Sequence, residues 1–192
     1  MFPMRRNQSV YRLAVAALLC AVGIMIPMVM PIKVYVPPMS FTLASHVAIF
    51  LAMCISPVTA LAVSVGTTVG FVFSGLPVDV WLRALSHTVW AVGGALWLKK
   101  HPDTFYSTGS NLAFCLMLAL VHGVLELGVV FGLYLGGLAG MVEKFSSGGF
   151  TAIILLVGLG TAVHSCADYA LSLLVWRPIR KVGAVASIST SH

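Results

Sequence analysis

The sequence predicts an all-α membrane protein of six transmembrane helices with both termini in the cytoplasm. Three observations predict it. Hydrophobic residues make up 59% of the 192 positions and charged residues only 8%, with a mean hydropathy of +1.02, whereas a soluble domain carries about 25% charged residues to solvate its surface. The apolar residues fall in long continuous runs that suit spanning helices of about 20 residues, not in the short alternating segments of a β-barrel. Lys and Arg sit in small groups at the edges of those runs, the placement that sets topology in a membrane.

The first predicted helix covers 13–30 and follows Arg5, Arg6 and Arg12. It resembles a signal peptide in its flanks, but no small-residue cleavage site follows, so a retained helix is expected. Pro27, Pro31, Pro37 and Pro38 make the next stretch stiff and extended, with Lys33 and Tyr35 within it. A second helix over 41–55 is short for a full span. Ser56-Pro57 turns the chain into a third helix over 58–73, and Gly75-Leu76-Pro77 breaks it again. A fourth covers 78–98 and ends at Lys99-Lys100-His101-Pro102. A polar loop, 101–111, precedes a glycine-rich fifth helix over 112–138. A loop at 143–149, Glu143 to Gly149, leads to a sixth over 150–175, which stops at Arg177-Pro178. One six-helix domain over 1–181 is expected, with 182–192 a short polar mobile tail.

An even helix count places Arg5, Arg6, Arg12, Lys99, Lys100, Arg177, Arg180 and Lys181 on one face, eight residues against Lys33 and Lys144 on the other. That asymmetry puts both termini inside. The net charge of +6 is therefore a topology signal. No long basic run exists, so no nucleic-acid partner is expected. Cys20, Cys54, Cys115 and Cys166 lie in apolar runs without a CxxC pair and read as small buried hydrophobes.

Ionisable residues inside the runs carry the functional signal, because each costs about 2.5–3.5 kcal/mol at a helix centre on insertion scales. Asp79, Arg83 and His87 follow at i+4 steps on the fourth helix, with Trp90 three further on, all on one face. Asp79 and Arg83 either neutralise one another or belong to a ligand-facing stripe, which His87 and Trp90 extend. Arg83 falls about 8 Å from the outer helix end at 1.5 Å per residue. His46 and Thr67-Thr68 fall in the outer or middle part as well. An arginine in an outer cavity suits a carboxylate or phosphate. His122 and Glu126 on the fifth helix and His164 and Asp168 on the sixth share the i, i+4 spacing. Their expected separation in depth argues against a common metal site, so no metal or cofactor is expected. Interhelical hydrogen bonding is the expected role of His164 and Asp168. No HExxH or GxSxG motif occurs, so an enzyme is not expected.

Ala14, Ala17 and Ala21 leave a strip of small residues on the first helix, Ala17-xxx-Ala21, where another helix can approach. With this strip, the run Pro37-Pro38-Met39-Ser40-Phe41-Thr42-Leu43-Ala44-Ser45-His46-Val47, the run Gly66-Thr67-Thr68-Val69-Gly70-Phe71 and Leu82-Arg83-Ala84-Leu85-Ser86-His87, the chain resembles the substrate-binding S components of energy-coupling factor (ECF) vitamin transporters. The resemblance covers nearly the whole length and implies an S-component-like bundle. It implies capture of a small water-soluble vitamin from outside, beneath the loop between helices 1 and 2. Delivery would pass through an ECF transmembrane scaffold subunit (EcfT-type) and two ATPase subunits (EcfA-type), docked through Ala17 and Ala21. Tyr35, His46, Thr67, Asp79, Arg83, His87, Trp90, His122 and Glu126 are the expected substrate-binding residues. Arg83 favours an anion, pantothenate first and nicotinate next; Asp79 and Glu126 would suit hydroxymethylpyrimidine or pyridoxine. A cobalt or nickel S component is disfavoured, as no histidine lies near the N-terminus. A stand-alone secondary transporter or intramembrane enzyme is the alternative of another class.

Overall fold

The computed structural model describes residues 8–36, 39–137, 151 and 153–189, with the side chains of Tyr35, Val36 and Met39 outside the description. Arg5, Arg6, Pro37, Pro38, Lys144 and the expected loop at 143–149 therefore lie outside the described residues.

Six principal helices are present among the described residues: α1 (Gln8–Val29), α2 (Val47–Ile55), α3 (Pro57–Phe73), α4 (Val78–Lys100), α5 (Thr108–Leu135) and α6 (Gly160–Ile179). A π-helical segment, Ile154–Leu159, runs directly into α6, and a single turn, α7 (Gly183–Ala186), follows it. The loop expected at 101–111 contains the 3-10 turn Pro102–Phe105, and α5 starts four residues earlier than its apolar run. By length and composition α1, α5 and the segment Ile154–Ile179 can each cross a membrane. These spans give the chain the make-up of a multi-pass α-helical membrane protein.

Local chemistry explains the breaks. Ser56 caps α3 by accepting the Thr59 N–H at 3.1 Å, and Pro57 occupies the first turn, where its missing N–H is not needed. Gly75, at φ 71°, ends α3 and lets Leu76 N–H reach back to Phe71 O. α6 continues through Arg177-Pro178, beyond the expected stop at 175, because the proline lies in its last turn.

The second helix departs from expectation. Phe41 and Thr42 are not helical but belong to a hairpin of β1 (Lys33–Val36) and β2 (Met39–Thr42), antiparallel in the register Lys33↔Thr42 and Val34↔Phe41. α2 begins only at Val47. Its nine residues cover about 14 Å at 1.5 Å each, too short to span alone. It is instead the hub of the bundle, in contact with α1, α3, α4 and α6. Every side chain from Ala48 to Ile55 except Leu51 is buried. A helix apolar on all sides belongs in such a position.

Because lipid is as apolar as a leucine core, helix association in a membrane rests on close packing and polar bonds. Both are visible here. A Cβ on Gly123 would lie 2.8 Å from the carbonyl oxygen of Gly158, so α5 and the π segment meet at backbone distance. Of the tail expected to be mobile at 182–192, the described residues 182–189 fold back instead. Ile188 is fully buried, and the Ser189 hydroxyl donates to Cys54 O at 3.0 Å.

Candidate functional site

Beneath the hairpin lies a cavity of about 90 Å³. Ser40, Phe41 and Thr42 of β2 roof it, followed by Ser45 and His46 in the turn before α2. Its walls are Pro27 of α1, Thr67 and Phe71 of α3, Arg83 and His87 of α4, Glu126 of α5 and His164 of α6. All lie toward the hairpin end of the bundle. The described hairpin strands thus form a lid, and the helix breaks bring polar faces of four helices beneath it.

Glu126 is the first anchor of this site. It is 2% exposed and would be prohibitive in lipid without partners. Its Oε2 accepts from Arg83 Nη2 at 2.7 Å and from the Thr161 hydroxyl at 2.7 Å. Its Oε1 accepts from His87 Nε2 at 3.1 Å and His122 Nε2 at 3.3 Å. Four side chains from three helices meet on one carboxylate. Arg83 keeps Nε buried with no partner among the described residues, and Thr67 Oγ1 is in the same condition.

Asp168 is the second anchor and is wholly buried. Its carboxylate accepts the Ala44 N–H at 2.7 Å, the His46 N–H at 2.9 Å and His46 Nδ1–H at 3.0 Å. His164, one turn earlier on α6, lies 3.3 Å from the same carboxylate and stacks on Phe41 with ring centroids 4.8 Å apart. The turn held this way is strained: Ala44 has φ 67°, a left-handed conformation that a non-glycine residue adopts at a cost of about 1–2 kcal/mol.

His46 joins the two anchors. Its ring makes edge contacts with His87, His122 and His164 at centroid separations of 4.6, 4.7 and 5.0 Å. The expected separation in depth of the pairs His122/Glu126 and His164/Asp168 is therefore overturned. The turn before α2 drops His46 between α4, α5 and α6, so both pairs face one centre.

Of the residues expected at a ligand, His46, Thr67, Arg83, His87 and Glu126 line the cavity. Trp90 and His122 lie one layer behind it: the Trp90 ring packs on Phe50 at 4.8 Å and on His122 at 5.2 Å. Asp79 is buried but does not line the cavity. Arg83 forms its ion pair across the bundle with Glu126, a partner that helix spacing alone does not suggest. Tyr35 is on β1, and its side chain lies outside the described residues. Ser40, Phe41, Thr42, Ser45 and His164 also line the cavity and were not among the expected residues. Only His164 carried a signal, the spacing it shares with the His122 pair. Thr161 had none. Ala17 and Ala21 lie on the outward face of α1, beside exposed Leu13, Leu18 and Met25.

A cavity with buried charged and polar groups in its walls, set within a bundle of apolar helices, gives the chain the architecture of a membrane transport protein. The chain is 40% identical over 169 residues to the niacin transporter NiaX of Lactococcus lactis subsp. cremoris (strain MG1363), which covers 88% of this chain and 74% of that protein. It belongs to the S components of ECF vitamin transporters, which are transport proteins and not enzymes. No protein-family model matches the chain, and no solved structure matches it.

Proposed function

We propose that this chain captures nicotinate from outside the cell, in the cavity beneath the hairpin. The observation that carries the reading is Arg83, which lines the cavity with a buried Nε that has no partner among the described residues. A guanidinium already half-used by Glu126 retains donors for a ligand carboxylate. At about 90 Å³ the cavity is smaller than the ~150 Å³ engineered cavities that admit benzene, so a single ring with one small substituent enters only as the lid moves outward. Pantothenate, an extended chain, would need far more. The similarity to a niacin transporter points the same way. Nicotinate thus takes the place that Arg83 alone gave to pantothenate.

The bundle then sits in the membrane with both termini inside and the hairpin facing out, α2 making its crossing together with the turn that precedes it. The captured vitamin is handed to an ECF scaffold subunit and its two ATPase subunits. The outward strip at Ala17 and Ala21 is the docking face for the scaffold, since small exposed residues allow close helix approach.

Equilibrium binding to the purified chain tests the substrate. Nicotinate should bind at least 100-fold more tightly than nicotinamide, which lacks the carboxylate, and more tightly than pantothenate. Arg83→Lys keeps a cation beside Glu126 but loses the planar fork, and should weaken nicotinate at least tenfold; unchanged affinity removes Arg83 from the site. Ala17→Trp or Ala21→Trp should spare binding yet abolish uptake when the scaffold and ATPases are present. Full uptake by those variants argues against docking here, and uptake by the isolated chain in liposomes overturns the S-component mechanism.

A further inference from the structure

The histidine cluster is larger than a carboxylate ligand needs. One donor atom from each of His46, His87, His122 and Glu126 lies within 4.8 Å of every other, and all four residues are buried. His87 Nε2 and His122 Nε2 stand 3.1 and 3.3 Å from Glu126 Oε1. Ligand atoms around a tetrahedral ion with bonds of about 2.0–2.1 Å lie roughly 3.3 Å apart. Those two separations already match that spacing, and the remaining donor pairs, all within 4.8 Å, would close by no more than about 1.5 Å.

The surroundings of His46 match what a metal-ligating histidine requires. Asp168 accepts two backbone N–H groups as well as His46 Nδ1–H. That fixes the carboxylate as an acceptor and His46 as the Nδ1–H tautomer, which leaves the Nε2 lone pair free. A carboxylate that orients a histidine in this way is the usual outer partner at imidazole-bound metals. His122 is fully buried, and its Nδ1 has no partner among the described residues, so only Glu126 selects its tautomer.

Charge gives the second argument. With neutral imidazoles, Arg83, Glu126 and Asp168 are charged groups in hydrogen-bond contact with this cluster among the described residues, one cation against two anions. An anionic vitamin entering such a chamber would add a third negative charge in a medium of low dielectric. A dication reverses the balance.

We propose that His46, His87, His122 and Glu126 hold one divalent transition-metal ion of the zinc class at the inner wall of the cavity, with Asp168 as the positioning residue for His46. Imidazole and carboxylate donors suit zinc, cobalt or nickel. Four protein ligands fill a tetrahedral shell, so the open position that would face the ligand is a fifth one, on the side where His46, His87 and Glu126 line the cavity and His122 lies behind it. That the open position takes the vitamin's carboxylate or ring nitrogen rests on the nicotinate reading; the ion site itself does not.

Cobalt titration of the chelator-treated, detergent-purified full chain without vitamin tests the site. One equivalent per chain should bind, with the intense visible absorption of tetrahedral cobalt, and zinc should displace it. His122→Asn and His87→Asn should lose that absorption, while His101→Asn, at an exposed histidine outside the cluster, should keep it. Absence of stoichiometric cobalt binding by the wild-type chain overturns the site without any variant. A spectrum unchanged in both cluster variants overturns it equally, since the ion then sits elsewhere. Nicotinate affinity should fall at least tenfold after chelation and return with zinc; an affinity indifferent to chelation refutes the ion's role toward the ligand. Stoichiometric cobalt with no nicotinate binding in any state supports the ion site and sinks the nicotinate reading.

Discussion

Glu126 and Asp168 are built from the same sequence device, a histidine four residues before a carboxylate on a membrane helix, yet they do different work. Glu126 gathers side chains, drawing Arg83, His87, His122 and Thr161 from three helices onto its two oxygens. Asp168 gathers backbone, holding the Ala44 and His46 amides and with them the turn that joins the hairpin to α2. The first centre fixes charge in the chamber. The second fixes its roof. An ionisable residue in a membrane helix is thus not by itself a ligand contact, and what sits opposite it decides its role.

The largest expected effect separates the two. Glu126→Gln leaves the Arg83 guanidinium buried without its counter-ion, a loss of about 3–5 kcal/mol. It should lower the melting temperature in detergent sharply and abolish nicotinate binding. Asp168→Asn should remove about 1.5–3 kcal/mol, the range for hydrogen bonds to a charged group. The effect should concentrate in the turn, so that nicotinate dissociates faster in stopped-flow measurements while the bundle melts within a few degrees of wild type. Equal melting losses in the two variants would erase the distinction. The smallest effect tests the roof alone. Ala44→Gly relieves the left-handed strain but adds backbone freedom to the unfolded chain, and these nearly offset. Stability should change by no more than about 1 kcal/mol, with nicotinate affinity retained. A large loss of affinity would mean that the Ala44 methyl group, and not the backbone geometry, matters.

Much of this was legible without coordinates. The breaks at Ser56-Pro57 and Gly75-Leu76-Pro77 fall where capping and glycine chemistry put them. Arg83 and His87 share a face of α4 because four residues make nearly one turn. The motif runs around His46, Thr67 and Arg83 pointed to the S components, and the sequence relative agrees. The hairpin was hidden because Phe41-Thr42-Leu43-Ala44 runs without a break signal towards the apolar α2, and periodicity cannot tell a strand from a helix over so few residues. Depth reckoned along separate helices also misled. It assigned His164 and Asp168 to another level, whereas His46 descends between them and Glu126. The tail gave little sign of packing, since Val182, Val185 and Ile188 are its few large apolar residues, set among Gly, Ala and Ser.

The sequence by itself determined that the chain lives in a membrane, where the chain breaks at Ser56-Pro57 and Gly75-Leu76-Pro77, and which residues are too polar to face lipid. These follow from composition and spacing of two to four residues, which act along the chain. Only the tertiary structure decided who partners whom. Arg83 reaches Glu126 across 43 residues and Asp168 holds His46 across 122, because in lipid each buried polar group must find its partner on whichever helix packing brings within about 3 Å.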